Sequence, residues 1–244
     1  MRIIWISLTV ALLAVFLTSS VTPLHAADKQ EGTKIQTRDK LALDNARTAV
    51  LIMDYQNDIV GMLPANEQTP LLEKAGAILR AARQAGLPVI YVVVRFRDGF
   101  PEISPQNKLF AGLKESGRLR EGTLGAEIHP KVAAQPGDIV VTKRRVGAFT
   151  STDLETILRA KNIDTLVLFG IASSGVVLST VRLAADMDYK LFVVSDACAD
   201  MDKEVQRVLT EKVFPRQATV VTTEEFVKAI GRKAGIQEGR LTAQ

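Results

Sequence analysis

Six apolar runs recur along the chain, at 48–53, 88–94, 138–142, 164–170, 190–196 and 218–223. Several are apolar almost throughout ("TAVLIM", "PVIYVVV", "DTLVLFG") instead of alternating with polar residues. Continuous runs of this length mark strands buried on both faces. Helical punctuation lies between them. Thr69 and Pro70 read as the N-cap and first residue of a helix that stops at Gly86. Thr152 with Glu155, and Thr222 with Glu225, have the spacing of capping boxes. Further helices are predicted over 174–188, 202–214 and 224–234. This alternation predicts a three-layer α/β/α sandwich around a doubly wound, mostly parallel six-stranded sheet.

One connection breaks the rhythm. Residues 95–137 are rich in Gly, Pro and charge, with a short helical pattern only at "NKLFAGLKES". A connection this long in a compact domain is functional or disordered. No internal repeat and no second domain is legible. A single domain is expected over 46–234, between a flexible lead-in at 27–45 and a tail at 235–244.

The residues ahead of position 27 read differently. Arg2 precedes an apolar run from Ile3 to Leu17, and "TSSVTPLHA" supplies a cleavage zone ending at Ala26. About 20 apolar residues are needed to span a bilayer, and this run is shorter. The expectation is an exported protein, periplasmic or secreted, with no stable membrane span after cleavage. Trp5 and His25 leave with the signal, so His129 and Cys198 become the only histidine and cysteine. One cysteine forms no internal disulfide, and this set is too sparse for a structural zinc site. The net charge of +4 is dispersed, with "KRR" at 143–145 the densest cluster, which argues against a nucleic-acid partner. No cofactor is indicated, no metal is assigned, and a homo-oligomer is left open.

In a doubly wound sheet, ligands collect just beyond the carboxyl ends of the strands. Asp54, Arg95 and Lys143 follow the first three runs, and the turn "GIASSGV" follows the fourth. Asp54 comes directly after "VLIM", where a carboxylate is costly to bury unless paired. It reads either as a cap of its own loop or as a general acid/base tuned by a cation. Lys143 reads either as that cation or as one member of a solvated basic run. Arg144 and Arg145 read as surface or rim residues. The turn at 170–176 presents backbone amides at the start of a helix, a natural place for a developing oxyanion. Ser173 and Ser174 read as helix-capping residues, Cys198 as a small buried thiol, and His129 as a structural hydrogen-bonding residue.

"AVLIMDYQND", "VVTKRRVGAF", "GIASSGVVLSTVRLAADMDY" and "VVSDACAD", in this order, resemble the isochorismatase-like hydrolases of the cysteine hydrolase superfamily across 46–230. The resemblance implies that fold, hydrolysis of a small molecule, and three site positions. These are a catalytic aspartate after the first strand, a lysine after the third, and a nucleophilic cysteine opening the helix after the fourth. Asp54 and Lys143 fall on the first two; the third is Val176. Val176 removes the thioester route of amidase members. Asp98 has no nearby histidine to complete a nicotinamidase-type metal site. Isochorismatases proper do without the cysteine: an aspartic acid protonates the carbon of a vinyl ether, and water adds to the oxocarbenium ion.

The reading that follows is an exported, metal-independent hydrolase. Asp54 is its acid/base, Lys143 the electrostatic partner, and Ala172 and Val176 the backbone donors. Gln56 and Arg95 are expected to line the pocket and Phe149 to wall it. Isochorismate metabolism is usually cytoplasmic, so export argues for another substrate. The alternative reading is a non-catalytic small-molecule binding protein that kept the fold. If residues 1–26 are a cleaved signal, mass spectrometry of extracytoplasmic protein is expected to find an N-terminus near Ala27. Recovery of only the full-length chain, in the membrane pellet, would mean an anchor.

Overall fold

The computed structural model of the protein describes residue 41 and residues 43–231. The expected signal at 1–26, most of the lead-in and the 235–244 tail lie outside the described residues. The apolar runs form β1 (Thr48–Met53), β2 (Val89–Val94), β3 (Ile139–Lys143), β4 (Thr165–Gly170), β5 (Lys190–Val194) and β6 (Thr219–Val221). They make one sheet in the order β3-β2-β1-β4-β5-β6, with every pair parallel. Central β1 and β4 pair from Thr48 opposite Thr165 to Met53 opposite Gly170 and are buried along their whole length. The edge strands are wetter: β3 exposes Val140 and β6 exposes Thr219.

The helices are α1 (Asn57–Val60), α2 (Ala65–Gln84), α3 (Leu113–Ser116), α4 (Leu154–Ala160), α5 (Leu178–Asp186), α6 (Lys203–Val208) and α7 over 223–231. From β1 the chain moves outward to β2 and β3, then returns to β4 and moves the other way. Right-handed crossovers therefore put α2 on one face of the sheet and α5 and α6 on the other. The reversal makes the carboxyl ends of β1 and β4 the switch point of the sheet.

Several local expectations change. Helix α2 starts at Ala65 with Pro64 at its N-cap, so Pro70 lies inside the helix and not at its first position. Pro70 has no amide to donate to the carbonyl of Asn66, four residues back, and Asn66 is an exposed residue. The stop at Gly86 holds: at φ 70° its amide donates to the Arg83 carbonyl, while that of Leu87 donates to Ala82. Thr152 forms no capping box. Its hydroxyl accepts from the Leu154 amide at 3.3 Å, and Glu155 pairs with Arg159 instead. The second box is real, with the Thr222 amide on Glu225 Oε2 at 2.8 Å and the Glu225 amide on Thr222 Oγ1 at 3.2 Å. The predicted helix at 174–188 is a wide turn, Ser173–Val177, followed by α5. Leu43, at the end of the lead-in, packs into the core, so the packed fold begins ahead of residue 46. The 95–137 connection is ordered around its own apolar cluster of Phe96, Phe100, Ile103, Phe110 and Leu119, closed onto the sheet by Val94.

Gly170 leaves no room for a side chain between β4 and β1. A Cβ there would lie 2.9 Å from the Met53 carbonyl and 3.2 Å from Val177 Cγ2. Gly170→Ala is expected to lower stability by about 1–3 kcal/mol through overpacking, read as a fall in the urea midpoint. Gly112→Ala, where an added Cβ meets nothing within 4 Å, is the control.

Candidate active site

Asp54 leaves β1 in the left-handed region, at φ 59°, with its amide bonded to the Val92 carbonyl at 2.8 Å. Aspartate is one of the few residues that adopt this conformation readily. Lys143 ends β3, two strands away, about 10 Å at the usual strand spacing. The long lysine stem closes that gap. Its Nζ lies 2.9 Å from Asp54 Oδ2, and the two side chains are only 2% and 6% exposed. The ammonium also donates to the Arg145 carbonyl at 3.1 Å. Asp54 Oδ1 is buried without a hydrogen-bond partner. Burial pushes the Asp54 carboxyl above the ordinary carboxylate range, and Lys143 pulls against that rise. The arrangement is a buried carboxyl of raised pKa with one free oxygen and a fixed cation.

Beyond β4 the chain turns through a cis peptide between Ile171 and Ala172 into the wide turn. Four of its amides are committed. Ser173 donates to the Ala199 carbonyl at 2.8 Å and Ser174 to Asp200 Oδ2 at 2.7 Å. Gly175 and Val177 donate to the Ala172 carbonyl at 3.1 and 3.4 Å. The amide of Ala172 takes part in none of these. The Val176 side chain is packed into the core. Neither serine caps the helix with its hydroxyl: Ser173 Oγ instead donates to Gln206 Oε1 at 2.5 Å. Asp200 and Gln206 were not singled out by sequence reasoning. Asp200 sits in the "SDACAD" stretch, so a polar residue near a strand end was the one available signal.

The residues expected to line the pocket do other work. Gln56 is fully buried and spends its amide on backbone, with Nε2 on the Val94 and Ala126 carbonyls at 2.8 and 2.7 Å and Oε1 on the Val94 amide at 2.8 Å. It ties β2 to the 95–137 connection. Arg95 reaches the Ala126 carbonyl at 3.1 Å and Glu127 at 2.8 Å. The Phe149 ring packs against Tyr189 with centroids 6.0 Å apart. Tyr189 precedes β5, at the amino end of the sheet, so Phe149 does not wall the crevice. Arg144 is bound into a network with Glu102 at 3.0 Å and Glu121 at 2.6 Å, and Arg145 is exposed. His129 Nδ1 accepts from the Lys131 amide at 3.2 Å. Burial pushes the Cys198 thiol up to about 12. The thiol borders a cavity of about 370 Å³ between α2, the 196–200 segment and α6, which neither Asp54 nor Lys143 lines. Among the described residues, no three His, Cys, Asp or Glu side chains group as a metal centre would require, and no helix is long and apolar enough to cross a membrane.

Residues 48–225 match the family profile of the Isochorismatase domain. A probable isochorismatase of Pseudomonas chlororaphis is 34% identical over 191 residues, covering 76% of this chain and 87% of its own length. The ureidoacrylate amidohydrolase RutB of Stutzerimonas stutzeri (strain A1501) is 31% identical over 209 residues, covering 77% and 80%. The crystal structure of a cysteine hydrolase from Pseudomonas syringae pv. phaseolicola 1448A superposes with a TM-score of 0.71 at 27% identity. That match covers 78% of this chain and 95% of the other.

A raised native pKa means that the folded state holds the Asp54 proton more tightly than the unfolded chain does. The stability it contributes is therefore full below the unfolded pKa and lost as pH rises through the folded one. Lys143→Met removes the opposing pull and raises that pKa further. The variant is expected to lose about 3–5 kcal/mol at pH 7, and progressively less toward pH 4 as Asp54 takes up a proton. Urea unfolding across this range reads the trend. A pH-independent loss would show that Asp54 is not the group responsible.

Proposed function

The chain belongs to the isochorismatase family of hydrolases, and from that premise we propose that it hydrolyses a small molecule by acid/base chemistry at Asp54 without a nucleophilic thiol. The observation that carries this reading is the Asp54–Lys143 pair, with Oδ2 on the ammonium at 2.9 Å and Oδ1 left without a partner. A buried carboxyl of raised pKa holds its proton closer to neutral pH, which is what a general acid needs. The residue that the family resemblance places at the nucleophile position is Val176, whose side chain offers no group to attack a carbonyl. The substrate class that fits is a vinyl ether or a related C–O or C–N bond.

For a vinyl ether, Asp54 gives its proton to the enol carbon, forming a C–H bond and an oxocarbenium ion. Water adds to that ion, and its surplus proton returns to Asp54. The hemiketal then breaks its C–O bond to release a ketone and an alcohol. Lys143 keeps the Asp54 carboxyl oriented and stabilises the carboxylate left after proton transfer. The amides of Ala172 and Val176 serve the polar groups of the substrate. Export, read from residues 1–26, puts this reaction outside the cytoplasm. The near-complete burial of the pair favours a second reading, a binding protein without turnover.

Product release from isochorismate and ureidoacrylate, followed with purified protein, is the first assay. Asp54→Asn is expected to lower turnover by about 10²–10⁴-fold, on the order of 3–5 kcal/mol at the barrier, while Cys198→Ser leaves it unchanged. Activity that survived Asp54→Asn and vanished with Cys198→Ser would assign the chemistry to the thiol. Saturable ligand binding with no turnover in any variant would establish the binding protein.

A further inference from the structure

Resting on the hydrolytic reading above, we infer that Asp200 and Gln206 are positioning residues for the reaction, holding the donor turn 172–176 in register with Asp54. The brace is the segment 195–200 after β5, which contains Asp200 and to which Gln206 of α6 is bonded. On one side it is tied to the residue beside the acid, since Tyr55 Oη donates to the Ala197 carbonyl at 2.6 Å. On the other it extends the sheet by one bridge, Ile171 with Ala199, with the Ala199 amide on the Gly170 carbonyl at 3.3 Å. The Ser173 amide returns to the Ala199 carbonyl at 2.8 Å.

Asp200 and Gln206 complete the brace from outside the turn. The turn begins at Ala172, which has no side-chain acceptor for the amides at a helix start. Asp200 supplies one from 26 residues away, its Oδ2 taking the Ser174 amide at 2.7 Å while Oδ1 takes that of Asp202 at 3.4 Å. It is 7% exposed, and among the described residues it forms no ion pair. Its charge is therefore held by backbone amides. Gln206 locks the neighbouring residue: Oε1 accepts from Ser173 Oγ at 2.5 Å, and Nε2 donates to the Ser195 and Cys198 carbonyls at 3.4 and 3.3 Å. One carboxylate and one amide thus set where the Ala172 and Val176 amides stand relative to Asp54. Neither side chain has a part in the bond-making itself.

Both side chains border the 370 Å³ cavity, so truncating them admits water instead of leaving a dry void. The assay uses whichever substrate the wild type turns over. Asp200→Ala is expected to lower kcat by about 10–100-fold with KM changed less than about threefold, because a small misplacement of catalytic groups costs about that much. Asp200→Asn, whose amide oxygen can still accept from Ser174, recovers kcat to within about threefold. Formate, entering through the cavity, restores part of the Asp200→Ala rate in a saturable way. Gln206→Ala lowers kcat about tenfold, since of the two side-chain constraints on the turn that of Asp200 remains. Lys203→Ala, on the same cavity but paired with Glu67, leaves kcat unchanged. An active wild type whose kcat survives Asp200→Ala overturns this inference alone. So does a loss that tracks unfolding and is rescued neither by asparagine nor by formate. A wild type without turnover overturns the hydrolytic reading and, with it, this one.

Discussion

A carboxylate and an ammonium buried together at the ends of two strands cost several kcal/mol each in lost hydration, and their attraction repays this only with good geometry. The Asp54–Lys143 pair meets that condition incompletely. Lys143 finds Asp54 and the Arg145 carbonyl, while Asp54 Oδ1 finds nothing. Apolar residues in the same places would serve stability as well or better. The pair also constrains topology: β1 and β3 must flank β2 with their carboxyl ends level, so that a lysine stem crosses one strand and meets its partner. A parallel sheet does this because all its strands end on the same side.

What surrounds the pair is built mainly from backbone. Gln56 ties the Val94 strand end to Ala126, the Asn57 amide donates to the Glu127 carbonyl at 3.0 Å, and Asp58 Oδ2 accepts from the Leu119 amide at 2.8 Å. A Cβ on Gly125 would stand 2.3 Å from the Asp58 carboxylate, so that loop approaches as closely as it does only because a glycine is there. On the other flank the 195–200 segment stitches β4 to its turn through Ala199 and Asp200. Polar side chains near a site therefore divide into two kinds. Asp54 keeps a free valence, whereas the amide groups of Gln56 and Gln206 are spent on holding the chain.

That division explains what sequence reading could and could not reach. The strands were legible because burial on both faces demands unbroken apolar runs, and β1, β2 and β4 show them without interruption. Asp54 and Lys143 stood out because a charge directly after such a run has few inexpensive explanations. Helix starts were less legible. Pro70 looked like a first residue, but a proline a turn further in is tolerated where the helix is exposed, as it is at Asn66, the residue whose carbonyl loses the bond. Thr152 and Glu155 had capping-box spacing, yet the local backbone gave the threonine hydroxyl to the Leu154 amide two residues on.

The sequence by itself determined the fold class, the parallel sheet and the two ionisable residues at its carboxyl edge, because periodicity and the cost of burying charge act on each segment locally. Only the tertiary structure decided which polar groups have a partner. It turned Gln56 and Arg95 inward to the 126–127 backbone and Glu127, sent Phe149 to Tyr189 at the far end of the sheet, and brought Asp200 to the Ser174 amide. Those pairings join residues 26 to 70 positions apart, a range over which no local pattern carries information. Hydrogen bonds are satisfied by whatever lies within about 3 Å, and that neighbourhood exists only once the chain has folded.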